Sequence, residues 1–299
     1  MSDYIQLWKP WTEIPAHKLT NTTKTIQGYS IAGLRTNFFV QPDLMLDAGI
    51  SAPFQPKYIL ITHGHGDHIA NLPFHLYVKN NNTQQIKIFC PIQIVKLIDN
   101  YISSMFNLAN PTPDILDSFD DIPKNYEIIG VDENTPPVEI ELGKQPHLLE
   151  FYNCVHSIPC VGYGISIIKN KLKKEYIGLS SKEIKEIKFS GISITEKVIE
   201  PEFFFSGDTT HELFESTKGK EIFKYPNIII ECSFILEEDK SHATEKKHMC
   251  WLDIKPFVLS NPQIQWVLTH FSQKYKKEQV IEFFNNENLP NIKPWCNLK

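Results

Sequence analysis

Residues 61–73 read ITHGHGDHIANLP, so His63, His65, Asp67 and His68 fall within six positions of a chain with 11 histidines in 299 residues. Imidazole and carboxylate side chains gathered this closely are the donor set expected around zinc or a similar borderline divalent cation. His63 and His65 are two residues apart, and in extended backbone they project to the same side. Gly64 and Gly66 permit tight or left-handed backbone and close approach to an ion. Asp67 and His68 are adjacent and diverge at the start of a following helix. The stretch therefore offers one pair of donors to one cation and a second pair to another. A loop whose histidines merely hydrogen-bond suits a lone histidine better than His-x-His-x-Asp-His placed directly after the apolar run YILIT.

A pair of cations needs more donors. His156 follows FYNCV, Asp208 follows EFFFSG and His270 follows WVLT. Each stands at or just after a strand-like run, and strand ends converge on one edge of a sheet, where α/β sites form. The completed sets are His63, His65 and His156 on one ion, and Asp67, His68 and His270 on the other, with Asp208 bridging. His17, His75, His147, His211 and His242 have no motif around them and read as surface or capping residues.

The elements that must position these residues follow from apolar patterning. Ile26–Ile31, Asn37–Val40 and Leu44–Leu46 read as short strands, and Tyr58–Thr62 and Ile86–Cys90 as strands buried on both faces. Ile69–Val78, interrupted by Pro73, and Ile92–Phe106 read as helices. Residues 107–137 are rich in Pro and Asp and read as an inserted loop with one short strand. From 138 to 206 the runs VEIEL, HLLEFYNCV, YGISII, ISITEKV and EFFFS are strand-like, with a short charged helix at Lys182–Lys188. Tyr225–Cys232 and Trp266–Thr269 read as buried strands, and His242–Leu259 and Lys276–Phe284 as helices. Two such halves predict an α/β fold, a four-layer αββα sandwich of two mixed sheets with outer helices, in one domain over 1–299.

Composition narrows the function classes. The formal charge of −5 argues against a broad basic footprint for nucleic acid, although bound cations supply local positive charge that side chains lack. Cys90, Cys154, Cys160, Cys232, Cys250 and Cys296 show no C-x-x-C spacing and read as free, mostly buried thiols of a reducing compartment. No signal-like N-terminus and no apolar run of the ~20 residues needed to span a bilayer appear, so a soluble, intracellular, cytoplasmic protein is expected.

HGHGDH with a later His, SGDT and LTH resembles the metallo-β-lactamase superfamily. Within it, His156–Gly164 (HSIPCVGYG), Phe205–Thr209 (FSGDT) and Leu268–Tyr275 (LTHFSQKY) resemble motifs of tRNase Z, the endonuclease that removes the 3′ trailer from precursor tRNA. Glu231–Phe234 (ECSF) is similar to that family's HEAT segment, with Ile230 in place of the leading His, and Lys247–Met249 (KHM) falls where the family has His-Ser-Thr. The resemblance spans about 26 to 285. It implies two divalent ions per chain, Zn²⁺ foremost with Mn²⁺ or Fe as alternatives, and an activated water as nucleophile. It implies that Asp67 accepts a proton from that water. His248 becomes the general acid for the leaving 3′ oxygen, oriented by Glu231. Ser272, Lys274 and Tyr275 become candidate substrate contacts. The partners it implies are RNA, foremost precursor tRNA, and a second copy of the chain as a homodimer.

Two departures matter. The family's arm between its third and fourth motifs has a Gly- and Pro-rich tip that grips the tRNA elbow. Here residues 165–203 lack that tip and read as a reduced arm. Lys274 stands where the family usually has Arg, which keeps a charge but loses bidentate phosphate geometry. The alternatives are a small-molecule metallo-hydrolase acting on a β-lactam, lactone or thioester, and a redox or metal-free protein. His65, where redox members carry a carboxylate, argues against the redox reading. Trp8 and Trp11, with Lys9, either stack on bases or pack onto the domain.

Overall fold

A computed structural model describes residues 11, 14–77, 85–109 and 125–298. Two seven-stranded mixed sheets face each other. The first runs in chain order through β1 (His17–Lys18), β2 (Thr25–Ile31), β3 (Arg35–Val40), β4 (Leu44–Leu46), β5 (Tyr58–Leu60), β6 (Ile86–Pro91) and β7 (Tyr126–Val131). The second contains β8 (Val138–Leu142), β9 (Gln145–Cys154), β10 (Cys160–Leu172), β11 (Thr195–Phe205), β12 (Asn227–Glu231), β13 (Gln265–Thr269) and β14 (Ile292–Pro294). In each sheet an antiparallel half leads into a parallel half, β4–β7 and β11–β14.

The strand period of two builds the layers. Ile229 and Val267 face inward with Phe205, Leu60, Phe38 and Phe151. Their neighbours Ile228, Ile230 and Trp266 face outward and pack with Ile254, Val258 and Phe284 from the helices α6 (Trp251–Ser260) and α7 (Lys277–Glu287). On the first sheet, Ile59, Ile61 and Ile88 likewise pack outward on Leu72 and Leu76 of α2 (Leu72–Tyr77) and Ile98 and Ile102 of α3 (Val95–Ala109). Such central strands are apolar on both faces because each face meets a different layer. Each fully buried Ile, Leu or Phe contributes about 1.5–3 kcal/mol relative to exposure. The expected αββα architecture is the observed one.

Three local expectations change. ISITEKV and EFFFS are one strand, β11, and YGISII extends to Leu172. β9 pairs with β10 only as far as Ile167, whereas β10 and β11 continue to Leu172↔Thr195. The interval expected as a reduced arm is thus a two-stranded ribbon running past the sheet. It is tipped by α4 (Ser181–Phe189), which a Ser180–Glu183 capping box begins. Alternation is blurred there because both faces of a two-stranded ribbon are solvated. Second, His242–Leu259 is not one helix. α5 (Lys240–Lys246) stops at Lys247, whose φ of 53° is left-handed, and α6 begins at Trp251 after Phe234 bridges to Cys250. Third, α3 runs to Ala109, inside the span expected as inserted loop. Within that span β7 is the short strand, and 110–124 lie outside the described residues, as do Trp8 and Lys9. Trp11 is buried and donates its indole N–H to Ser51 O, so it packs on the domain.

Candidate metal centre

Parallel strands deliver their C-terminal ends to one edge, and β9 runs parallel to β11 through their shared antiparallel partner β10. His63 follows β5, His156 follows β9, Asp208 follows β11, Glu231 ends β12 and His270 follows β13. His65 stands at the N-terminus of α1 (Gly66–Ile69), a single turn that carries Asp67 and His68. The β9 and β11 ends are tied by Val155 N–H to Thr209 Oγ1 and Thr210 N–H to Val155 O. His270 and Asp47 adopt left-handed φ values of 62° and 55°. That conformation costs about 1–2 kcal/mol for a residue with a Cβ and persists where the surroundings over-determine it.

The donors converge in two sets, and the donor atoms of a third group, Asp208, His248 and His270, also lie within 4.8 Å of one another. One donor atom each from His63, His65, His156 and Asp208 lies within 4.8 Å of the others, as do those of Asp67, His68 and His270. Asp208 reaches both sets, at 3.6 Å from His63 Nε2 and 3.4 Å from the Nε2 atoms of His68 and His270.

Hydrogen bonds behind the rings decide which nitrogen faces inward. His68 Nδ1–H donates to Asp47 at 2.7 Å, and His156 Nδ1–H donates to Lys247 O at 2.9 Å. Thr62 Oγ1 gives its proton to Asp47, so it accepts from His63 Nδ1–H at 3.0 Å. Ser233 Oγ gives its proton to Glu231 at 2.6 Å, so it accepts from His270 Nδ1–H at 3.0 Å. Four rings therefore present Nε2 lone pairs inward. Those of His63 and His156 lie 3.1 and 3.2 Å from His65 Nδ1, and those of His68 and His270 lie 3.3 Å apart. Facing lone pairs repel unless a positive charge lies between them, and Asp208 Oδ1 is buried with no hydrogen-bond partner. The donor chemistry fits divalent cations, with outer partners that fix ring orientation as in built metal sites.

The field points the same way. Burial alone would strip His68 of charge, but Asp208 and Asp47 against it raise its proton affinity well above the usual imidazole range, a preference for positive charge that a cation at Nε2 would satisfy in place of a proton. Burial pushes the Asp208 carboxyl up, and His270, His68 and His63 outweigh that, holding it well below the usual carboxylate range. Asp67 is also lowered: burial is overcome by His270 and His68. His63, buried beside other imidazoles, is pushed well down. The pocket is thus wired for positive charge.

His248 lies beside these sets because the helix breaks at Lys247. Its Nδ1–H donates to Glu231 Oε1 at 2.9 Å and lies 3.8 Å from Asp208 Oδ2. Burial opposes a charge on the ring, but Glu231 and then Asp208 raise its pKa to about 9. Its Nε2 has no hydrogen bond among the described residues. Glu231 is buried and also accepts from Thr209 N and Ser233 Oγ, so its position is fixed from three sides.

The remaining expectations divide. Tyr275 is buried and its hydroxyl donates to Asp239 while accepting from Ile235 N–H, so it fastens the LTHFSQKY segment to the chain before α5. Lys274 is paired with the same Asp239, and Ser272 donates its N–H to Ser233 O. His75 and His147 are not surface residues: both are buried, His75 against Ile50 O and His147 against Glu202 at 3.2 Å. Sequence reading missed Asp47, Thr62, Ser233 and Asp239. Asp47 had a signal, since LMLDAG places an Asp directly after an apolar strand just as EFFFSGD does. The Asp and Ser partners inside other segments had none. All six cysteines are free, and five are buried.

Glycine is required where α1 crosses the β4 end. A Cβ on Gly49 would lie 1.7 Å from Asp67 O, and one on Gly207, φ 65°, would lie 2.5 Å from Thr62. Gly49→Ala is expected to displace α1. Chemical denaturation should show a loss of about 1–3 kcal/mol, and divalent-cation affinity should fall with it. Unchanged affinity would show that α1 can shift freely.

Comparison with known proteins agrees with this geometry. Residues 40–80 match the model of the metallo-β-lactamase superfamily. The chain is 30% identical over 272 residues to the chloroplastic tRNase Z TRZ2 of Arabidopsis thaliana, covering 86% of this chain and 70% of that protein. It is 28% identical over 263 residues to tRNase Z TRZ1 of the same plant, covering 85% of this chain and 88% of that protein. The short form of human tRNase Z superposes with a TM-score of 0.53 at 18% identity, over 84% of this chain and 93% of that one, a likeness of fold. The chain belongs to the ribonuclease Z (tRNase Z) family within the metallo-β-lactamase superfamily.

Proposed function

We propose that the protein is a dinuclear-metal endoribonuclease that cleaves an RNA phosphodiester, with precursor tRNA bearing a 3′ trailer as substrate. His63, His65, His156 and Asp208 would hold one cation, and Asp67, His68 and His270, with Asp208 near both sets, would hold the other. Divalent ions held there, Zn²⁺ foremost, would supply Lewis-acid polarisation of the phosphate and a water acidic enough to act as nucleophile at neutral pH. The chain's own groups do the rest. Asp67, held by Gly33 N–H, accepts a proton at a carboxylate oxygen. Asp47, Thr62, Lys247 O and Ser233 hold the histidine rings against rotation. His248, charged and steadied by Glu231, gives a proton from Nε2 to the departing 3′ oxygen.

The convergence of inward Nε2 lone pairs beside a charged, Glu231-bound imidazole carries this reading. The small-molecule alternative drew on a missing arm, and the β10–β11 ribbon now occupies that interval. Lys174, Lys182, Lys185 and Lys188 at its tip are exposed and suited to phosphate contact. The homodimer implied by the resemblance remains part of the proposal, to be checked by sedimentation equilibrium. Purified protein, with metal content measured, is expected to cut precursor tRNA after the discriminator base and to stop when metal is chelated. Fully loaded protein that leaves precursor tRNA intact would refute the tRNA assignment.

A further inference from the structure

A second chemically distinct site lies on the flank where both sheets have an open edge. β1 ends the first sheet and β14 ends the second. Between them and the start of α7 lies a cavity of about 350 Å³, at the small end of the ~300–1,000 Å³ typical of ligand pockets. Its polar walls are His17 from β1, Lys293 from β14, Lys277 at the start of α7, and Asn297. Ile14 and Trp295 form part of its apolar floor. None of its lining residues is acidic, although the whole chain has a formal charge of −5.

Lys293 Nζ lies 2.5 Å from His17 Nδ1. A lysine donating to a neutral imidazole leaves its charge uncompensated, and neither Lys293 nor Lys277 has an ion pair among the described residues. Burial lowers the proton affinity of Lys293. Burial and then Lys293 lower that of His17. Lys224 and Lys255, also half-buried, are by contrast paired with Glu150 and Glu287. Basic groups pressed together without a carboxylate destabilise one another until an anion arrives.

The flank connects to the candidate metal centre. Lys293 is in register with Val267, three residues before His270, which is ~10 Å of strand. Asn297 accepts from Ser30 N–H, and Ala32 N–H donates to Phe271 O, beside His270. A chain held at the metal centre has a short path to this pocket.

We propose that the His17–Lys277–Lys293 pocket binds a phosphate group, and that in RNA cleavage this is a backbone phosphate of the substrate held away from the scissile bond. The second clause rests on the proposed function, and the first does not. Lys277 and Lys293 supply the charge, neutral His17 supplies an Nε2–H donor because its Nδ1 accepts from Lys293, and the cavity leaves room for an attached sugar.

The test compares wild type with Lys277→Gln, Lys293→Gln and the double variant, with thermal melts to establish folding. Exposed Lys277 serves alone if Lys293→Gln unfolds. In the double variant KM for precursor tRNA should rise about tenfold and the salt dependence of RNA binding should become shallower by about one. Its kcat, and hydrolysis of a small aryl phosphodiester too short to reach the flank, should stay within about twofold of wild type. Calorimetry with inorganic phosphate and with a nucleoside monophosphate completes the test. Binding by wild type that the double variant loses, with RNA kinetics unchanged, supports a phosphate site filled by a free ligand. Wild type that binds phosphate here yet never cleaves precursor tRNA leaves the pocket standing and removes the tRNA assignment. If RNA kinetics, salt dependence and phosphate binding are the same in wild type and double variant, the proposal is overturned.

Discussion

Asp208→Ala is expected to abolish RNA cleavage, with kcat/KM falling by ~10⁴-fold or more, equivalent to about 5.5 kcal/mol of transition-state stabilisation. Its carboxylate reaches both donor sets, 3.4 Å from His68 and His270, 3.6 Å from His63 and 3.9 Å from His156. Removing it takes the negative charge from a pocket of imidazoles, so cation content measured by elemental analysis should drop along with activity. Far-UV circular dichroism should be unchanged, because the two sheets are held by their apolar layers and not by this residue. Asp208→Asn sharpens the result. It keeps volume while replacing one acceptor oxygen with an amide donor and removing the charge, so an equal loss assigns the effect to the charged carboxylate and not to side-chain volume. Full cation content with full activity in either variant would remove Asp208 from the centre.

His248→Ala is expected to separate proton donation from metal loading. The ring borders the donor sets and is bonded to Glu231, so cation content should stay at the wild-type level. General acid catalysis contributes roughly 10²–10⁴-fold, and kcat on RNA should fall by that amount while KM moves little. The leaving group supplies the discriminating measurement. A 3′ ribose oxygen needs a proton to depart, whereas an activated aryl oxide does not, so an aryl phosphodiester should lose far less than RNA does. Equal losses on both substrates would show that His248 does not act as the acid. Glu231→Gln should fall between wild type and His248→Ala, on the order of tenfold, because the amide can still orient the ring but no longer holds its charge.

The converging His and Asp side chains were legible because they are local or sit at recognisable ends. His63, His65, Asp67 and His68 are contiguous, and His156, Asp208 and His270 each close an apolar strand. Strand period and parallel-sheet polarity then suffice to bring them to one edge. The layers were legible for the same reason: Ile228, Ile229 and Ile230 alternate between two cores, and a continuous apolar run announces that. The ribbon was not legible, because a two-stranded projection solvated on both faces loses the alternation that marks a strand. The break before His248 was not legible either. Its apolar spacing continues across Lys247, and only the bridge between Phe234 and Cys250 stops the helix.

Sequence alone thus determined the architecture and the chemical kind of the centre, since both depend on residue type and short spacings. Tertiary structure decided what the centre's atoms can do. Asp47 behind His68 and Ser233 behind His270 lie 21 and 37 residues away along the chain, yet they choose which ring nitrogen faces inward. It also placed Tyr275 and Lys274 on Asp239, and gathered His17 and Lys293 from chain segments 276 residues apart. Hydrogen bonds and repulsion between unpaired charges depend on distances of a few ångströms across the fold, and those distances exist only once the chain has closed into its sandwich.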